Sequence, residues 1–290
     1  LRQRMAHLGT DLHDIYTRED LERVVGSYEP EVSQKVPRQD QDGAVPVPPG
    51  VDWTKLEEEE AYIHYLRLLA TAFDEPFHAD SNECLKEYIT NNPLLSNDIK
   101  GYERIRNKMV SDYAGDDLPR SAQNVDMNRL LAEVKDGPAM IKLLEALQRR
   151  FGAFAKFKNG MAWPLKEAES RFHLRPCMVS LRYEHPTLKT IGDLCKDKKV
   201  QELWAKYAKQ EPPPGVPRCR WDRQVQRALE WLHSDALADK PVAMIVEVQC
   251  MLKAYREVRT KMHEVYKAYR AEDCAQLHQD FVKYEVKKQQ

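Results

Sequence analysis

The stretch PVAMIVEVQCMLKAYREVRTKMHEVYKAYR, residues 241–270, decides which fold is expected of this chain. Beyond Pro241 it contains neither proline nor glycine, the two residues that most often interrupt a helix. Ile245, Val248, Leu252, Tyr255, Met262, Tyr266 and Tyr269 recur at spacings of three and four, with Arg259 in the one remaining seam position. That is an apolar seam of about four heptads, the pattern of a helix lying along a partner helix. At ~1.5 Å per residue the predicted rod is longer than ~40 Å. Pro241 suits its first turn, because the fixed φ of proline is already helical there.

Working outward, the preceding helix, expected from Asp222 to about Ala238, is only about half as long. Val225, Leu229 and Leu232 on it cover part of the rod. The rest of the seam is expected to face another protein. EPPPGVPRC, from Glu211 to Cys219, is a Pro-rich joint ahead of this hairpin. Further upstream, Thr54 to Glu57 reads as a capping box opening a helix to about Phe73. Asp136 opens another helix, with Ile141, Leu144, Leu147, Phe151 and Phe154 at helical spacing and a stop at Asn159-Gly160. Residues 187–210 read as helix broken near Lys196 to Lys199. Met178 to Tyr183 is the one strand-like run, and nothing nearby is expected to pair with it. The predicted fold is all-α, with three parts. They are an arm at 1–51, an irregular helical body at 52–210, and a joint with a coiled-coil-like hairpin at 211–290.

The arm includes VPRQDQDGAVPVPPGVDW, from Val36 to Trp53. Such a segment forms neither helix nor sheet and has little apolar surface to offset the entropy of ordering it. Docking on a neighbouring protein through Pro37, Val45, Pro46, Pro48, Pro49 and Trp53 is therefore expected, as extended proline segments dock.

Lys and Arg number 45 against 46 for Asp and Glu, and a chain living on phosphate backbones usually has a basic excess. Nucleic acid is accordingly not expected as the main partner. The six cysteines are scattered with no CxxC pair, which suggests reduced thiols rather than a secreted disulfide framework. No apolar run approaches the ~18 residues of a membrane span. The opening LRQRMAHLGT has Arg2 and Arg4 and no acid before Asp11, as at the end of a mitochondrial presequence.

The chain has no GxxxxGK[ST], GxGxxG or GxSxG motif, so none of the glycine-dependent phosphate or nucleophile loops is expected. Glu57, Glu60 and His64 share a helix face, but the di-iron Glu-x-x-His pairing is absent. A solvated acidic first turn is the expectation there. Cys274 and His278 lie one helical turn apart without a second pair to complete a zinc site. In QRRFGAFAKFKNGMAW, Gln148 to Trp163, the residues Arg149, Arg150, Lys156, Phe157 and Lys158 interleave cations with aromatics. That pattern suits RNA or an anionic lipid head group, although Phe151 and Phe154 also continue a core stripe. Together these features predict a non-catalytic accessory subunit of a mitochondrial assembly, in a respiratory-chain or ATP synthase complex, peripheral to the membrane and without a cofactor. An RNA-binding factor is the alternative, and a metal protein or enzyme the third.

Overall fold

The computed structural model describes residues 2–33, 35 and 37–270. Cys274 and His278 lie outside them, as do the side chains of Tyr266 and Tyr269. The chain is not all-α: it builds a mixed sheet in the order β1-β2-β5-β4-β3. The strands are β1 Leu95–Asn97, β2 Arg129–Val134, β3 Lys156–Asn159, β4 Cys177–Glu184 and β5 Ala243–Leu252. β2 and β5 run parallel, and the other neighbours are antiparallel.

The decisive correction is in residues 241–270. The first third is the central strand β5, and only Lys253–Arg270 is helix, α10. Met244, Val246, Val248, Cys250 and Leu252 point to one face of the sheet, and Ile245, Glu247, Gln249 and Met251 to the other. A central strand buried on both faces reads as a continuous apolar run, and such a run satisfies a heptad template equally well. Ile245, Val248 and Leu252 are therefore strand residues, and the coiled-coil seam does not exist. Met178 to Tyr183, which had no expected partner, is β4 and pairs with both β3 and β5. The helix expected through Phe154 ends at Phe151, because Gly152 turns the chain out at φ +82° and β3 follows.

The core lies on the Val248 face. Its centre is α2, Leu56–Leu85, where Tyr62, Ile63, Tyr65, Leu66, Leu69, Phe73 and Phe77 have no exposed surface. A helix apolar on every side must be covered on every side. The sheet and α4, Gly137–Phe151, cover one flank; α3 Tyr102–Val110, α7 Lys198–Ala208 and α8 Arg218–Leu232 cover the other. The expected start of α4 is present: the Asp136 side chain accepts a hydrogen bond from the Ala139 amide at 2.8 Å. The expected Thr54 cap of α2 is absent, since the Thr54 hydroxyl donates to Asp52 at 2.6 Å instead.

Among the described residues, much of both elements expected to need a neighbour is covered by this chain. Tyr255 and Met262 of α10 are buried, packed with α1, Arg2–Arg18. The arm closes over one end of the sheet. The Gln39 amide donates to the Ile245 carbonyl at 2.8 Å and accepts from its N–H at 3.0 Å. The Ala243 amide donates to the Ala44 carbonyl at 2.7 Å. Val45 is buried, the Pro46 carbonyl accepts from Tyr65 Oη at 2.8 Å, and Trp53 meets Tyr62 and Trp231 edge-on. Pro37 and Pro46 are half-buried, Pro48 is buried, and Pro49 is exposed. Among the described residues no helix is long and apolar enough to cross a membrane.

Candidate functional site

The second face of the sheet carries charge where a packed sheet would carry apolar side chains. Residues directly opposite on neighbouring strands share a face, so the pairing writes out its rows. One row is Arg129, Glu247, Ser180 and Lys156; the next is Leu131, Gln249, Met178 and Lys158. The arm fences one end of this face at Ile245. α10 fences the other, where Arg256 donates to Glu133 at 2.6 Å and Arg259 to Gln249 Oε1 at 3.5 Å. Between the fences lies a polar strip of the sheet face, called the groove below, in which Arg129, Gln249, Met178 and Lys158 are half-exposed and Lys156 is exposed.

Glu247 lies in its floor, 7% exposed, taking a hydrogen bond from Gln249 Nε2 at 2.8 Å. Burial pushes its carboxyl above the usual range; the Gln249 bond pulls back, and the nearby Asp126 carboxylate adds to the rise. Asp126 is shifted the opposite way. Burial alone would raise it, but Lys100 and Lys108 hold it below the ordinary carboxylate value. Two neighbouring carboxyls driven apart in this way are the arrangement that separates an acid from a base.

The cations around Glu247 have no carboxylate partners, although Lys158 lies over the Trp163 ring at 5.4 Å and Arg259 reaches Gln249. Arg129, Lys156, Lys158 and Arg259 make no ion pair among the described residues, and Arg129 Nε is buried without a hydrogen-bond partner. Burial lowers Lys158, and Arg171 and Lys156 crowd it further. Burial also lowers Arg259. Four half-buried arginines elsewhere are neutralised by carboxylates, whereas Arg67 and the buried Arg175 meet only neutral acceptors. Arg106 and Arg220 meet Glu60, Arg120 meets Glu59, and Arg38 meets Asp40. Cations gathered on one sheet face without carboxylate partners suit an anion.

No family model, curated protein or solved structure matches this chain. With the heptad seam dissolved and no relative matched, the expectations of a mitochondrial role and of a place in a respiratory-chain or ATP synthase complex have no support.

The fold divides the basic-aromatic stretch. Lys156 and Lys158 face the groove, whereas Phe157 points to the core face against Tyr28 and Phe154. Arg149 and Arg150 sit on the last turn of α4, near Glu145 and Asp80. The acidic start of α2 is not uniformly solvated. Glu57 is exposed, but Glu60 and His64 have no exposed surface, and His64 Nδ1 lies 2.8 Å from the Tyr207 hydroxyl. No group of three His, Cys, Asp or Glu side chains able to hold a metal occurs among the described residues. The sequence reading missed Arg129, Glu247, Gln249 and Arg259 as a group. Its available signal was Glu247-Val-Gln249, two polar residues spaced by two inside an apolar run. On a helix they would merely be off the seam, whereas on a strand they share a face.

Proposed function

We propose that the groove binds a phosphate-bearing small molecule, with Glu247 as the group that takes or gives a proton. The observation that carries this reading is the set of four unpaired cations around one buried carboxyl. Arginine and lysine together suit phosphate oxygens, arginine by paired donors and lysine as a point charge. A carboxyl raised by burial inside a groove is the usual form of a general acid or base near neutral pH. A buried carboxyl also weakens the fold at neutral pH, and residues that do so concentrate at working sites.

The test is calorimetric titration with inorganic pyrophosphate at low and high salt. Arg129→Ala and Lys158→Ala are each expected to weaken binding about tenfold, the loss of one charge-assisted contact. Arg149→Ala, on the far side of the sheet, should leave it unchanged. Absence of saturable binding at low salt, or equal affinity in all three variants, would overturn the reading.

A further inference from the structure

α1 is seated by close contact at two places. At Gly9 a Cβ would lie 2.9 Å from the Phe172 carbonyl oxygen, so the helix meets the 172–175 turn backbone to backbone. Near its other end the Tyr16 hydroxyl donates to the Met161 carbonyl at 2.8 Å. The turn is tightly bent: Phe172 and His173 stand at φ +51° and +55°, a region that bulky residues seldom enter. Strain of this kind persists only where the surroundings enforce it, and it gathers at switches and ligand clamps. Between helix and turn, imidazole meets imidazole. The His13 and His173 rings have centroids 4.7 Å apart and planes tilted by 37°. Nδ1 of each ring is buried without a hydrogen-bond partner. Beside them Arg175, 3% exposed, lays its guanidinium 4.0 Å from the centre of the Tyr16 ring and donates to the Gly160 and Trp163 carbonyls at 3.0 and 2.6 Å.

We propose that this contact is an acid-sensitive latch: while both imidazoles are neutral they hold α1 on the turn, and a proton on either loosens the helix. The latch is independent of the groove and its ligand. A first proton sets a cation beside Arg175, which meets only neutral acceptors, and a second sets two like charges one ring apart. The groups facing the pair are Arg175 from the turn, the exposed Glu169 just upstream, Tyr16 from α1, and Tyr255 from α10 with Arg259 behind it. The Tyr255 hydroxyl accepts the Arg175 N–H at 2.7 Å and donates to the His173 carbonyl, so it is committed to backbone. Burial lowers His173, His13 and Arg175 lower it further, and Glu169 pulls back. Docking is therefore fully favoured above the ordinary imidazole value of 6.5, and below it the undocked helix gains by taking up the proton.

The experiment is hydrogen exchange of the full chain at pH 7.5 and pH 5.5, corrected for the pH dependence of the chemical step, with the α1 amides compared against those of β5. In the native chain α1 should lose about tenfold more protection than β5, the effect of one proton taken up one unit below 6.5. His13→Phe combined with His173→Asn, asparagine being tolerated in the left-handed backbone, should remove that difference. Equal losses in α1 and β5 of the native chain, or a difference that survives in the double variant, overturns the inference. Should the double variant fail to fold, the His173 ring resonance followed against pH in the native chain decides. A midpoint below 6.5 that moves together with α1 signals supports the latch; a midpoint at or above 6.5, or α1 signals that stay still, sinks it.

Discussion

Lowering the pH should weaken this fold through one histidine. His64 lies in α2 with no exposed surface, stacked on Tyr102 with ring centroids 4.8 Å apart and meeting Trp221 edge-on at 4.5 Å. Burial, reinforced by the Arg67 cation, lowers it from 6.5 to about 3. The folded state therefore keeps His64 neutral, while the unfolded chain takes up a proton below pH 6.5. Stability from this group is complete above the unfolded value and falls as the pH drops towards the folded one. At pH 5 the gap from 6.5 is worth about 2 kcal/mol, at about 1.4 kcal/mol per unit. The assay is urea unfolding at pH 7 and pH 5 for the native chain and for His64→Phe, which keeps a ring between Tyr102 and Trp221. Tyr207 then retains its bond from Arg67 at 3.0 Å. His78, His173 and His185 are lowered in the same direction by burial, and they drop out of the difference between the two proteins. The native chain should lose about 2 kcal/mol more than the variant between the two pH values. Equal losses would refute the argument that His64 is held neutral.

The buried carboxylate of Glu60 is reached by Arg220, by Arg106 Nε at 2.6 Å and by Gln224 Nε2 at 2.6 Å. Glu60→Ala should cost about 3 kcal/mol in denaturant unfolding, the low end for a broken buried pair, because both guanidinium groups reach water. Glu247→Gln should act in the other direction. Its raised carboxyl favours folding at low pH and loses that contribution as pH rises through the folded value. The variant should melt higher than the native chain at pH 7 and lose that advantage near pH 4, as read by thermal melts. Gly160→Ala should lower the melting temperature sharply, since a Cβ there would meet the backbone nitrogen of Pro176 at 2.6 Å.

The sequence by itself determined the local pieces whose signals are local. Asp136 caps α4, and the break expected near Lys196 to Lys199 falls between α6, Ile191–Lys196, and α7; the helix expected from Asp222 to about Ala238 instead spans Arg218–Leu232, and Pro241, expected to start a helix, leads into β5. Tertiary structure decided the rest. The ten residues of β5 satisfy both the strand period and the heptad spacing, and only pairing with β2, more than a hundred residues earlier, chooses between them. Contacts that distant leave no mark on local periodicity. The groove was hidden for the same reason. Arg129, Lys158, Glu247 and Arg259 come from three strands and a helix, and none of them is unusual in its own neighbourhood. Their shared meaning is electrostatic, and it exists only once the sheet sets them side by side without enough carboxylates to neutralise them.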